Sequence, residues 1–274
     1  MSVIIICSDY LENSRAVAEK TAQSLGYQCL NRSILAEVAR EHNLPEEQLV
    51  RALDEPPRWL GMSSKARRQY LAYIQEATVA RLLADNRVCY GLAAHFYLRG
   101  VSHVLKVRIL SDREALASQL LARRQISPEK ARKVLNNRAK LRKRWSMAAF
   151  QLDETDSALY DLVIKLSQID ADRAVEILTE TIGDRRFQPM TYSRKKMEDV
   201  ALESRAKAVL LERFPGIRVQ ALHGRLIVQA MALKRDKQKK AAAIKEAAGQ
   251  IPGVGYVEVQ VINDFFRQAI ESFR

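Results

Sequence analysis

Residues 3–26 read Val-Ile-Ile-Ile-Cys-Ser-Asp-Tyr-Leu-Glu-Asn-Ser-Arg-Ala-Val-Ala-Glu-Lys-Thr-Ala-Gln-Ser-Leu-Gly. The apolar, mostly β-branched run 3–6 has the length and composition of a buried strand, and residues 15–25 carry apolar side chains at helical spacing before Gly26. A strand that turns into a helix is a frequent place for phosphate, because the first N–H groups of the helix point outward. A turn that cradles phosphate is usually rich in glycine, since backbone must come close to the anion and adopt positive φ. Here the turn Cys7–Arg15 contains no glycine and two acids, Asp9 and Glu12. A carboxylate about 4 Å from a phosphate charge is repelled by about 1 kcal/mol in water and about 4 kcal/mol at a protein-surface dielectric.

Working outward, further strands are expected at 27–30, 87–91, 103–109 and 159–165. Helices are expected at 32–42, 45–53, 64–84, 112–123, 127–148 and 172–182. Strands alternating with helices predict an α/β fold, a parallel sheet covered on both faces that binds ligands at the carboxyl ends of its strands. Pro56-Pro57 ends the third helix, and nearby Trp59 is read as a packing residue before a base-stacking one. Ser127-Pro128-Glu129 supplies an N-cap, a first-turn proline and a first-turn acid in order.

Several segments, in order, resemble the cytidylate kinase-like family of P-loop nucleoside monophosphate kinases over residues 3–183: Arg15, Ala18-Glu-Lys20, Leu25-Gly-Tyr27, Asn31-Arg32, Gly91 after Val88-Cys-Tyr90, Val104–Ile109, Gln125–Ala131 and Tyr160–Ile164. The resemblance implies a P-loop kinase-like fold with a nucleotide held by Ser8, Asn13, Ser14, Arg15, Asn31, Arg32, Gly91 and Arg144. It also makes the basic segment 123–144, ten basic residues against Glu129 alone, a lid whose arginines clamp phosphate. If the chain is active, Arg15 replaces the P-loop lysine, Arg138 and Arg142 stabilise charge, and the cofactors are ATP and Mg2+. The departures fall at ligand-facing positions: the loop glycines are missing, an expected acid is Asn31, an expected arginine is Leu92 and an expected asparagine is Lys165. The leading expectation is therefore a degenerate nucleotide-binding or regulatory protein with little phosphotransfer. The alternatives are an active CMP/dCMP kinase and a nucleic-acid-binding protein, the latter favoured by the charge but lacking interleaved aromatics.

The chain has 274 residues and a formal net charge of +13. Residues 184–274 hold 18 Lys/Arg against 10 Asp/Glu and so carry most of the excess. Residues 184–197 lack clear periodicity and are read as a linker. Beyond it, a helix to Phe214, alternating runs about His223-Gly224, a Lys- and Ala-rich helix and a last strand resemble a BON domain over 198–264, followed by a tail 265–274. The resemblance implies a small α+β module that binds a membrane, a ligand or a protein. Lys234, Arg235, Lys237, Lys239 and Lys240 form its candidate patch for an anionic lipid surface, and Phe265-Phe266 could insert there. Cys7, Cys29, Cys89 and the four histidines show no metal-ligand spacing, so no metal is assigned. No run reads as a membrane span or a signal, giving a cytoplasmic, or peripherally membrane-bound, expectation.

Overall fold

A strand with both faces buried must be sandwiched, and Val3, Ile4, Ile5 and Ile6 are at most 2% exposed. The computed structural model describes residues 2–57, 61–124, 126–232 and 236–262. It divides into two compact units, residues 1–194 and 195–274.

The first unit contains five parallel strands: β1 (Val3–Ser8), β2 (Gln28–Leu30), β3 (Arg87–Tyr90), β4 (Val104–Ser111) and β5 (Leu162–Leu166). They lie in the order β2-β3-β1-β4-β5, with Ile4 opposite Val88 on one side and Leu105 on the other. The α/β expectation is thus borne out. Helices α1 (Leu11–Leu25), α2 (Ile34–Glu41), α3 (Glu46–Asp54), α4 (Ser64–Leu82), the single turn α5 (Ala94–Tyr97), α6 (Arg113–Arg124), α7 (Pro128–Phe150) and α8 (Ala171–Ile182) connect them. α1 and α8 bury Val17, Ala18, Ala22, Ala174 and Leu178 against Ile4, Ile6, Val107 and Ile109. Ser127 caps α7, its hydroxyl accepting from Lys130 N at 3.4 Å, as its sequence predicts. The far end of α7 is fixed by rings: Phe150 stacks on Phe96 at 4.2 Å, and the buried Trp145 indole donates to Ala52 O at 2.8 Å. Trp59 lies outside the described residues.

Residues 184–197 differ from the expected linker. Arg185–Phe187 is a 3-10 turn, and helix α9 (Thr191–Arg213) starts before the predicted boundary. Ser193, Met197, Val200, Ser204, Ala208 and Leu211 are buried at helical spacing. Half of that stripe, Ser193, Ser204 and Ala208, is small or polar, which a hydrophobicity reading passes over.

In the second unit, β6 (Arg218–Leu222) and β7 (Arg225–Met231) form an antiparallel hairpin, and after α10 (Lys237–Gly249) strand β8 (Tyr256–Ile262) pairs parallel to β7. Val219, Leu226, Val228, Ile244 and Val257 face its core. The hairpin tip is held by Asp199, 6% exposed, whose carboxylate accepts from His223 N at 2.9 Å and Gly224 N at 3.2 Å. Removing it strands two donors, and hydrogen bonds to a charged group contribute about 1.5–3 kcal/mol. Asp199→Ala should accelerate amide exchange across β6 and β7 by at least about tenfold, the factor that about 1.4 kcal/mol represents, with β1–β5 unaffected. Hydrogen-exchange mass spectrometry reads both regions in one experiment.

Candidate functional site

The carboxyl ends of β1, β3 and β4 meet at one edge of the sheet, where the β1–α1 turn lies. The turn is shorter than its sequence suggests. α1 begins at Leu11, not at residue 15, leaving Asp9 and Tyr10 between strand and helix. Ser14 extends the buried stripe of Val17, Ala18, Thr21 and Ala22 at helical spacing with Leu11 partly buried beyond it, Glu12 suits the helix N-terminus, and no glycine interrupts it. The polar groups of the turn bond to one another. Ser8 Oγ donates to Tyr10 O at 2.5 Å, Asn13 N donates to the same oxygen at 3.1 Å, and Ser14 Oγ donates to Leu11 O at 2.9 Å. The Asp9 carboxylate accepts from Ser111 N and from Ser111 Oγ, at 3.1 and 2.6 Å, while Asn13 Nδ2 donates to Ser111 Oγ at 2.7 Å.

Beneath the turn lies a buried charged cluster. α7 ends at Gln151 in the left-handed conformation, and the chain folds back so that Glu154 N donates to Ser146 Oγ at 3.1 Å. The Glu154 carboxylate then meets Arg142 in a two-point pair, Nε to Oε2 at 2.8 Å and Nη2 to Oε1 at 2.6 Å. Arg142 also donates from Nη1 to Leu53 O at 2.8 Å and lies over the Trp145 ring at 3.9 Å. Arg108 and Tyr160 both donate to Glu154 O. Arg32 forms a second two-point pair with Asp54, at 2.7 and 2.6 Å, and donates from Nε to Gly91 O at 2.9 Å. Gly91 has φ +74, and a Cβ there would stand 3.0 Å from Leu11 and 3.4 Å from Arg32 Nε. That positive φ, with the close Leu11 contact, favours glycine here.

Cys7 Sγ donates to Glu154 Oε1 at 3.3 Å, and His95 Nε2 lies 3.7 Å from that oxygen. Burial, with the Glu154 carboxylate adding to it, pushes the Cys7 thiol up to about 12. Burial pushes His95 down to about 4 against the opposing pull of Glu154. Burial alone would raise the Glu154 carboxyl, but the Arg142 guanidinium beside it holds it below the ordinary carboxylate range. Two cavities flank the cluster. One of about 70 Å³ lies toward Gly91, and one of about 650 Å³ opens toward Ser111, Arg113, Ser157 and Lys165. Arg138 lines both, its guanidinium 4.9 Å from the Tyr10 ring centroid.

Of the residues selected from sequence, Ser8, Ser14, Arg32, Gly91, Arg138 and Arg142 come together around the smaller cavity. Asn13 bonds to Ser111, which lines the larger cavity. Arg15 is not with them, being exposed and paired with Glu19 at 2.9 Å. Asn31 accepts from Ser33 N at 2.9 Å, and Arg144 lines a separate hollow with Lys140 and Met147. Lys237, Lys239 and Lys240 lie in the first turn of α10, with Lys240 Nζ donating to Met231 O at 2.8 Å. Lys234, Arg235 and the tail 265–274 lie outside the described residues. Sequence reading missed Glu154, Arg108, His95 and Asp54. Glu154 gave only a weak signal as an acid beside Asp153 after a basic helix.

A model of the cytidylate kinase-like family matches residues 3–168. The chain belongs to that family. Among solved structures it is similar to an uncharacterised protein of Eubacterium ventriosum at 18% identity, with a TM-score of 0.48, covering 68% of this chain and 100% of that one. It is also similar to a shikimate kinase of Bacteroides thetaiotaomicron at 11% identity, TM-score 0.40, covering 66% and 98%. A dephospho-CoA kinase of Campylobacter jejuni follows at 13% identity, TM-score 0.36, covering 65% and 96%. Comparison with curated proteins finds no match.

The cluster sets the acid sensitivity of this cytidylate kinase-like unit. His95 is neutral in the fold and would take a proton near the ordinary histidine value of 6.5 once unfolded. Its contribution is thus complete above pH 6.5 and is lost as pH falls toward about 4, a cost of about 3 kcal/mol over that window. The Glu154 pair is lost in the same direction, below the ordinary carboxylate range. Denaturant melts between pH 7 and pH 4.5 should show stability falling steadily, and His95→Gln should flatten the slope. Glu154→Gln at pH 7 should cost about 3 kcal/mol, the lower end for breaking a buried pair, since the Arg142 side chain is 26% exposed.

Proposed function

We propose that this cytidylate kinase-like protein binds a nucleotide or another phosphorylated ligand in a regulatory role and carries out little phosphotransfer. The observation behind this reading is that both arginines nearest the strand ends already hold carboxylates in two-point pairs, Arg142 with Glu154 and Arg32 with Asp54. A phosphate would have to displace a matched partner from either one. The β1–α1 turn speaks the same way against ATP and Mg2+. With Asn13 N and Ser14 N turned to Tyr10 O, it offers no row of free donors, and the Asp9 carboxylate lies at the strand end where a triphosphate would run. Arg113, Arg138 and Lys165 line the larger cavity and are the cations positioned for an anionic ligand.

Purified protein with ATP, Mg2+ and CMP, dCMP or UMP should give negligible nucleoside diphosphate. Calorimetric titration with the same nucleotides should instead detect binding that weakens on Arg138→Ala. Turnover near 1 s⁻¹, within the ordinary enzyme range, that disappears on Arg15→Ala would establish the active-kinase alternative. Absence of any nucleotide binding would remove the ligand part of the reading.

For the C-terminal unit we propose a BON-type binding role. The order helix, hairpin, helix, strand supports it, as does the exposure of Lys237 and Lys239. No helix among the described residues is long and apolar enough to cross a membrane. The full chain should sediment with phosphatidylglycerol vesicles at low salt and much less at physiological salt, where exposed charges are screened beyond about 8 Å. Lys237→Glu with Lys239→Glu should weaken that binding. Equal binding to neutral vesicles, or none to either kind, would count against an anionic-lipid role.

A further inference from the structure

Three ligand-type side chains from three separate segments converge at the end of β1. Cys7 Sγ, a His95 ring nitrogen and a Glu154 carboxylate oxygen lie within 4.8 Å of one another. The residues are 8%, 2% and 3% exposed, respectively. A second observation marks this as more than a hydrogen-bonded core group. His95 Nε2, the nitrogen that faces the cluster, has no hydrogen-bond partner although it is buried. Buried polar atoms are nearly always satisfied, so an unbonded nitrogen beside a thiol, 3.7 Å from the Glu154 carboxylate, is a position open to a further partner.

Ligand chemistry and charge both restrict what that partner is. Arg142 holds both Glu154 oxygens, so the carboxylate is committed and the ligands left are a thiol and an imidazole. Thiolate and imidazole suit soft or borderline ions such as Cu(I) and Zn(II) far better than Mg2+. Arg142 and Arg108 bring two positive charges against the one negative charge of Glu154. A divalent ion that expels the thiol proton makes this buried cluster more positive by one charge, whereas a monovalent ion leaves its charge unchanged. Adding net charge to a water-poor interior is strongly unfavourable.

We propose that Cys7 Sγ and His95 Nε2 bind one monovalent thiophilic cation of the Cu(I) type, beside the Glu154–Arg142 pair. On binding, the Cys7 S–H proton passes to solvent, a metal–sulfur bond forms, and the Nε2 lone pair completes the second bond. No electron is transferred. The 70 Å³ cavity, lined by Cys7, His95 and Arg138, borders the site. The site borders the cavity of the proposed function, but its two ligands, Cys7 and His95, are not among the residues on which that reading rests.

The test uses the full chain under anaerobic conditions, with Cu(I) supplied as its bicinchoninate complex and Zn(II) titrated in parallel. One equivalent of Cu(I) should leave the chelator, and X-ray absorption at the copper edge should show one sulfur and one nitrogen neighbour. Cys7→Ala and His95→Gln should each weaken binding by more than about tenfold, a loss that even outer-shell changes commonly cause. The control Cys29→Ala with Cys89→Ala should leave it unchanged. The absorption spectrum of the unsubstituted protein decides the question even if a variant fails to fold. Failure to compete with the chelator, a first shell of two sulfurs from Cys29 and Cys89, or tight Zn(II) binding without Cu(I) binding would each overturn the proposal.

Discussion

The Arg142–Glu154 pair is the constraint on which the strand-end site of the N-terminal unit depends. One guanidinium, reaching in from α7, satisfies a carboxylate that would be too costly to bury alone, holds the carbonyl of Leu53 at the end of α3, and lies on Trp145. Through it the basic helix, the α3 terminus and the end of β1 share one set of bonds. The backbone carbonyl of Glu154 then gathers Arg108 and Tyr160, so that charge and hydrogen bonding close around one residue.

That closure fills the strand ends with the protein's own groups. A parallel sheet of this order offers its strand ends to a ligand. Here the positions nearest those ends are filled by the protein's own groups: Asp9 on Ser111, Glu154 on Arg142 and Asp54 on Arg32. Carboxylates stand where an anionic ligand's oxygens would otherwise be received. Positive charge without a strong internal partner lies further out, at Arg138 and Lys165. A ligand bound there would approach from the β4–β5 side.

The fold was largely legible because it is written in local periodicity. The β-branched run at residues 3–6 gave the central strand, and Ser127-Pro128-Glu129 gave the start of α7 almost to the residue. Two elements were misjudged for physical reasons. Glu12-Asn13-Ser14 reads as a turn by composition, yet Ser14 continues the buried stripe and Leu11 packs partly buried against the core, so packing extends α1 by a turn. The first turns of α9 bury Ser193 and Met197 instead of large aliphatics, so their segment read as a linker. The site was legible only in part. Arg32, Gly91, Arg138 and Arg142 stood out through a family pattern, whereas Glu154 and His95 matter through contacts 12 to 147 residues away from their own positions. No spacing rule reports such contacts.

The central claim is that the internal carboxylates, and not a bound triphosphate, are the partners of the site arginines. A crystal structure grown with ATP, Mg2+ and CMP tests it most directly. The account predicts that α1 still begins at Leu11, that Arg142 keeps both bonds to Glu154, and that no triphosphate density runs along residues 9–14. Unwinding of residues 9–14 around a triphosphate, with Arg142 transferred from Glu154 to phosphate oxygens, would contradict it.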